Sequence, residues 1–497
     1  MLRRRRVWLR ADCRINFFDH ISVFPVSRED AKVATKTIAI IGAGPVGLAA
    51  AAHATERGLI PIVLERGPAA GHAIRQWAHV PMFSPWAFNI DKAAERLLEA
   101  SGWTRPDPDR YPTGGDLISH YVAPLAERLR DRIKLNAEVI SVSRAGFDKV
   151  KTDGREAVPL LVRYRDGGTP ASLAVDAVID ASGTWFSPNP AGVGGLPAIG
   201  EIEATEHIAY GMPDISGEAR SRYAGKQVAV LGGGHSAIGT LIALSELQAE
   251  NPATKITWLY RGPILAKAFG GGAADQLSAR GELGLQIADL VKQGRIRTHT
   301  GFRLEQIERD ASGLRLISND ERKQAVTVDE LIVATGFRPE LALLRELRVE
   351  LDPALECPPS LAPLIDPNVH SCGTVRPHGA ADLAHPEPGF YIAGMKSYGR
   401  APTFLLATGN EQVRSIVAEL AGDHAAARRV ELVLPETGVC SATPGGPSAS
   451  TSSCCGGPAP VAVDACCADD AVAKQSGKAG CGCSSSSRET TRETAEV

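Results

Sequence analysis

Thr37–Gly47 reads TIAIIGAGPVG, and the rest of the chain is organised around it. Five apolar or small residues, Thr37 to Ile41, make a buried strand. Gly42, Gly44 and Gly47 follow in the G-x-G-x-x-G spacing. The spacing is steric in origin: Gly42 turns the chain out of the strand, Gly44 lets a pyrophosphate approach the backbone, and Gly47 lets the next helix pack closely. That helix runs from Leu48 to Arg57, with Gly58 as its stop. Its free N–H groups face phosphate. A second strand, Pro61–Leu64, ends in Glu65, 18 residues after Gly47, where a carboxylate accepts ribose hydroxyls.

A second such unit lies further on. Gln227–Leu231 is an apolar strand running into GGGHSAIG, residues 232–239, and a helix from Ala237 to Glu250. Gly232, Gly234 and Ala237 give the G-x-G-x-x-A variant, with Ser236 inside the turn. The following strand, Lys255–Tyr260, ends in Arg261 instead of an acid. A carboxylate repels a 2′-phosphate, whereas a guanidinium binds one. The pattern therefore assigns FAD to the first unit and NADPH to the second. VIDASGT (178–184) and LIVATGFRPE (331–340) are both strands entering a glycine turn, one near each crossing between units. The fold class expected is α/β, with two Rossmann-like, three-layer dinucleotide-binding domains, the second inserted in the first. The boundaries expected are an extension over 1–35, the FAD-binding domain over 36–190 and 326–436, the NAD(P)-binding domain over 191–325, and a Cys-rich tail over 437–497.

Composition sets limits. A chain of 497 residues exceeds one ordinary core. A net charge of -3 gives no general attraction to nucleic acid, and no apolar run is long enough to span a bilayer. No nucleic-acid or membrane partner is expected. Arg3–Arg6 is basic but precedes no signal-peptide core, so a disordered extension and a cytoplasmic location are the expectation. Of ten cysteines, seven lie between Cys440 and Cys483, which is not a secreted disulfide framework. From Thr437 on, Ser, Ala, Gly, Pro and Cys dominate, and the segment lacks the apolar content to fold alone.

Between the motifs, residues 71–90 carry Trp77, Phe83, Trp86 and Phe88 among prolines. They suit either core packing or a loop lining a flat ring. Lys92–Ala100 has a helical pattern, and a further amphipathic helix carries Leu117, Tyr121, Leu125 and Leu129, with Pro124 expected to kink it. Ile133–Val142, Leu160–Arg165 and Ser172–Ile179 look like strands, and Ser187 to Gly200 like a domain crossing. A glycine-rich loop, Phe269–Ala273, precedes three β-like segments up to Val328. A short strand over Gly389–Gly394 and a helix over Phe404–Leu420 close the globular part.

GAGPVG with Glu65, the central GGGHSA, the turn Ala334–Gly336 and the closing strand and helix together resemble the two-dinucleotide-binding-domain flavoproteins, which include thioredoxin-reductase-like enzymes and flavin-containing monooxygenases. The resemblance covers roughly residues 36–425. YPTGGDLISHYVAPLAERL (111–129) and the strand around Val139 are most similar to the monooxygenase branch. GMKSYGRAPTF (394–404) is similar to a branch of FAD-dependent oxidoreductases, some of which are associated with metalloid resistance. The resemblance implies that Val139, Gly183 and Gly394 also line the FAD. The chain departs from the monooxygenase signature, because Gly200 and His207 stand too far apart and Ala198 replaces an aromatic. It departs from the dithiol reductases, because no cysteine occurs from 14 to 356, and from the family's closing strand, which often ends in Gly-Asp, because Met395 follows Gly394.

Two cofactors would do the redox chemistry, with hydride passing from NADPH to the flavin. The acceptor is then oxygen together with a small soft nucleophile, as in a monooxygenase. The alternatives are a quinone, a disulfide or a metalloid reduced directly, or a flavin-bearing metal-binding protein. His207, His235, His378 and His385 are candidates for proton transfer or structural hydrogen bonding, and His378 with Arg376 is the candidate catalytic pair. In the tail, Cys454, Cys455, Cys466, Cys467, Cys481 and Cys483 are candidate ligands for a soft metal or metalloid, or belong to an unselected extension.

Overall fold

A computed structural model describes residues 35–269, 278–310, 313–320, 323–368, 375–401 and 404–432. The expected extension, the tail with its six candidate cysteines, and Cys372 lie outside the described residues.

Sixteen strands, β1–β16, occur in chain order among the described residues. β1 (Thr37–Ile41), β2 (Ile60–Leu64) and β3 (Ile133–Lys134) begin a parallel sheet. β4 (Ala137–Arg144), β5 (Leu160–Asp166) and β6 (Thr169–Val175) form an antiparallel sheet. β7 (Ala177–Asp180) returns to the first sheet beside β1. β8 (Ile208–Tyr210), β9 (Gln227–Leu231), β10 (Lys255–Tyr260) and β11 (Ile296–Thr300) enter a second parallel sheet. β12 (Leu304–Asp310), β13 (Gly313–Ser318) and β14 (Ala325–Val328) form a second antiparallel sheet. β15 (Glu330–Val333) then joins β9, and β16 (Phe390–Ile392) joins β7.

The two parallel sheets run β16-β7-β1-β2-β3 and β8-β15-β9-β10-β11. Each has its glycine-loop strand, β1 or β9, at the centre. Each centre strand has beside it a strand that ends in the second glycine turn. The alanine-rich helix Pro45–Glu56 packs against β1 and β2, and its buried face is Val46–Ala54. The helix His235–Glu250 does the same for the second sheet. Strands buried on both faces explain why β1 and β9 read as continuous apolar runs.

Several expectations need correction. The first helix begins at Pro45, whose fixed φ suits the first helical position. Pro124 does not kink a regular helix. It is the second residue of the segment Ala123–Arg128, directly after a π-turn, Ile118–Val122, and the carbonyl of His120, four residues before it, accepts instead from Trp103 Nε1 at 2.7 Å. Ser172–Ile179 is two strands in different sheets, parted at Asp176, whose backbone and carboxylate both engage Thr37. Ile133–Val142 is likewise broken, at Asn136 with φ 54°. A helix, Ser278–Lys292, stands before four strands, not three, up to Val328. The expected boundary at 325/326 falls within the second unit, because β14 and β15 belong there and the chain crosses back only after Val333.

The crossings are joined to each other. Asn189 N donates to Gly336 O (2.9 Å), Arg338 N donates to Ser187 O (2.9 Å), and Asn189 Nδ2 donates to Thr335 O (3.0 Å). Together they make a short antiparallel ribbon.

Candidate functional site

Gly42, Gly47 and Gly232 occupy backbone that a side chain would spoil. A Cβ on Gly42 (φ +99°) would lie 2.9 Å from Ala181 O, and one on Gly47 would lie 2.0 Å from Gly42 O. In the second unit, a Cβ on Gly232 (φ +147°) would lie 2.3 Å from Ala334 O. The same close approach, from the loop after the centre strand to the turn after its neighbour, therefore occurs twice. Gly44, Gly183 and Gly234 have open space where a Cβ would stand. Gly44 and Gly234 are the N-caps of their helices, neither helix has a side-chain cap, and neither has an acid in its first turn. Two helix starts with uncapped N–H groups opening on glycine-lined space suit a pyrophosphate.

Glu65 is buried, and its carboxylate accepts from Ala43 N and Gly67 N, both at 2.8 Å. These bonds fix the acid against the loop and leave lone pairs for ribose hydroxyls. Val139 is half-buried on β4 opposite Tyr164. Gly394 (φ +72°) faces Val46 of the first helix, so the closing turn meets the glycine loop. Of the residues assigned to FAD, Gly42, Gly44, Gly47, Glu65, Gly183 and Gly394 gather at the carboxyl ends of β1, β2, β7 and β16, whereas Val139 lies on β4 of the antiparallel sheet.

In the second unit Ala237 is buried, and Ser236 O accepts from Thr240 Oγ at 2.7 Å. Arg261 is exposed at the end of β10. Tyr260 lies over the loop: a Cβ on Gly233 would be 2.5 Å from its ring, and one on Gly262 2.6 Å.

The aromatic stretch divides its work. Trp86 is buried core and Trp77 packs half-buried against that same core, whereas Phe83 reaches His235 of the second unit. Trp77 is 6.4 Å from Trp185, which stacks on Phe337 at 4.7 Å, and Phe83 meets His235 edge-on at 5.2 Å. Trp185 Nε1 donates to Gln76 Oε1 (2.8 Å).

His378 is placed differently from a solvent-facing acid or base. It is 3% exposed, and burial holds its imidazole below the usual range. Its Nδ1 donates to Arg376 O (3.0 Å), and its Nε2 accepts from Gln412 Nε2 (2.8 Å). Gln412 also donates to Ser397 Oγ (2.9 Å) and accepts from Gly394 N (2.7 Å). His378 thus orients Gln412, which fixes the closing turn. Arg376 pairs with Asp382 (3.0 Å) beside a cleft of about 420 Å³. Both ring nitrogens of His378 are thus engaged within the fold, and the Arg376 guanidinium is engaged by Asp382. His207 pairs with Glu330, and His385 is bonded to Glu350 O. Gln412, Ser397, Asp180 and Lys396 were not legible as site residues, because what joins them is contact between distant segments. No group of three potential metal ligands occurs among the described residues.

The family model described as pyridine nucleotide-disulphide oxidoreductase matches residues 36–385. The chain belongs to that family. FAD and NAD(P)H are its cofactors, and the glycine-lined cradles fit them. Among its relatives, a thioredoxin reductase of Coxiella burnetii is 23% identical over 322 residues, 64% of this chain and 79% of that protein. A bacillithiol disulfide reductase of Bacillus cereus has a similar fold, with a TM-score of 0.55 at 20% identity, covering 78% of this chain and 99% of that one. An ornithine N-hydroxylase of Kutzneria sp. 744 matches with a TM-score of 0.52 at 16% identity, covering 79% of this chain and 100% of the other. No helix among the described residues is long and apolar enough to cross a membrane.

Proposed function

We propose that the protein is an NADPH-dependent flavoprotein reductase whose acceptor takes electrons from the flavin without a dithiol built into the core. One observation carries this. Cys357 is the one cysteine among the described residues; it is 0% exposed, and burial pushes its thiol up to about 12. Such a thiol is neither ionised nor reachable, so it cannot relay electrons. The acceptor class is a disulfide, a quinone or a metalloid, which the named reductase relatives favour over oxygen. For a disulfide the balance is NADPH, a proton and RSSR giving NADP⁺ and two thiols. The flavin supplies the two-electron relay when bound. This chain's residues hold its phosphates at the loop 42–47, its ribose at Glu65, and the closing turn through Gln412 and His378. Arg261 supports NADPH over NADH, as a guanidinium suited to a 2′-phosphate.

A monooxygenase is the second reading. The aromatic wall of Trp77, Trp185 and Phe337 favours it, since such a wall keeps water from a reacting centre. The discriminating experiment is NADPH oxidation with and without oxygen, in the presence of a disulfide, a quinone or arsenate. Turnover without oxygen, stoichiometric with acceptor reduced, supports the reductase. Turnover only with oxygen, with labelled oxygen entering the product, would overturn it in favour of the monooxygenase.

A further inference from the structure

The carboxyl edge of the first sheet holds an ion pair with no access to solvent. Lys396 Nζ lies 2.6 Å from Asp180 Oδ2, and both side chains are 0% exposed. Ser182 completes the cluster. Its N–H (3.1 Å) and hydroxyl (2.6 Å) both donate to Asp180 Oδ1, and its oxygen accepts from Lys396 Nζ (3.2 Å). Desolvating two opposite charges costs about as much as their attraction returns, and an apolar pair of equal volume is often as stable. Stability alone therefore does not account for this pair.

Its location does. Asp180 is the last residue of β7, in register with Ile41 of β1 on one side and Ile392 of β16 on the other. Strand connections run one way from β1 toward β2 and β3, and the other way to β7 and β16. The gap between β1 and β7 is thus the switch point at which open α/β sheets bind ligands. Three turns meet there. Gly42 leaves β1, and a Cβ on it would be 3.1 Å from Ser182 Cα. Gly183 (φ +70°) follows Ser182 directly. Gly394 opens the 3₁₀ turn Gly394–Tyr398 that carries Lys396. The cluster is bonded to the second and third of these turns and abuts the first.

We propose that Lys396, through Asp180 and Ser182, is a positioning residue for FAD: it locks the turns at Gly42, Gly183 and Gly394 in the arrangement the cofactor needs before it binds. The proposal rests on the cofactor assignment of the family and goes beyond it in naming what presets the cradle. An unlocked cradle must be ordered at the cost of binding energy, so affinity falls even though no cofactor contact is removed.

The test uses full-length holoenzyme with the double substitution Asp180→Leu/Lys396→Met, which removes both charges at similar volume. FAD release is read from flavin fluorescence on dilution, and the environment of the bound flavin from its visible circular dichroism. The expected result is FAD affinity weaker by about tenfold or more, with an altered dichroism of the flavin that remains bound. Wild-type affinity and dichroism, even with a lower Tm, would reduce the cluster to a structural role and overturn the proposal. If the double variant does not fold, Ser182→Ala decides, because it removes the hydroxyl's bonds to Asp180 and Lys396 while keeping the ion pair and the Ser182 N–H bond to Asp180. Several-fold weaker FAD binding is expected there, and unchanged binding overturns the proposal. Wild-type protein that holds no FAD would instead defeat the cofactor assignment itself.

Discussion

Trp185 and Phe337 stack with ring centroids 4.7 Å apart and planes 28° from parallel. Trp185 lies two residues beyond Gly183, and Phe337 directly follows Gly336, so the stack joins the turns that begin and end the excursion into the second sheet. An aromatic pair of this geometry contributes about 0.5–1.5 kcal/mol beyond area burial. A double-mutant cycle with Trp185→Ala and Phe337→Ala, read by urea unfolding, should return a coupling energy in that range. Strict additivity would mean that the rings touch without supporting each other.

A second buried charge cluster fastens the closing strand to the antiparallel sheet. Glu387 Oε1 accepts from Arg144 Nε at 2.7 Å, and Glu387 Oε2 from Arg155 at 2.7 Å. Replacing Glu387 with Gln leaves two buried guanidinium groups facing a neutral amide. The cost should be about 3–5 kcal/mol, measured as a lower urea midpoint at an unchanged slope.

Acid should destabilise the fold in two stages. Burial lowers His385 from 6.5 to about 4. The unfolded chain therefore takes up this proton near pH 6.5 while the folded chain refuses it. Its contribution is complete above pH 6.5 and falls as pH drops from 6.5 to about 4, by on the order of 2–3 kcal/mol. Below that, Glu387 adds to the loss. Burial alone would raise its carboxyl, but the Arg348 N–H and the guanidinium groups of Arg144 and Arg155 hold it below 4.5, so its contribution disappears as it protonates. Denaturant midpoints between pH 7 and 4 should slope in the wild type and flatten in His385→Gln.

Coenzyme choice should rest on one exposed side chain. Arg261→Gln should raise KM for NADPH by about ten- to a hundredfold, the loss of a charged hydrogen bond, and leave NADH unchanged. Equal effects on both coenzymes would remove the 2′-phosphate from the account of Arg261.

The tail should matter to the acceptor and not to the coenzyme. Paired thiolates at Cys454, Cys455, Cys466 and Cys467 have the softness to capture a soft metalloid substrate. Removal of residues 438–497 should leave NADPH oxidation by oxygen intact and raise the apparent KM for the metalloid. An unchanged KM would disconnect the tail from turnover.

Whether a feature could be read from sequence followed the range of the physics behind it. Gly42, Gly44, Gly47 and Glu65 were legible because a tight turn, a close approach and an acid at a strand end are decided within thirty residues. The helix Ser278–Lys292 was not, since Gly281 and Gly284 weaken its propensity. Tertiary packing demands Gly284, where a Cβ would lie 1.9 Å from Phe269 O. His378 reads as a reactive loop histidine until Gln412, 34 residues later, is seen to occupy its second nitrogen. Lys396 and Asp180 are 216 residues apart, and nothing in either neighbourhood announces the other.

The ribbon at the crossings has a consequence for how such a chain can be built. Entry and exit of the inserted sheet are hydrogen-bonded neighbours, with Asn189 N 2.9 Å from Gly336 O. The first sheet thus sees the whole interval between them as a loop whose ends are already closed. Its closure entropy hardly depends on what lies inside. The interval is modular: exchanging it for another nucleotide-binding cassette, or for a two-residue turn, imposes no new geometry on β1, β7 or β16.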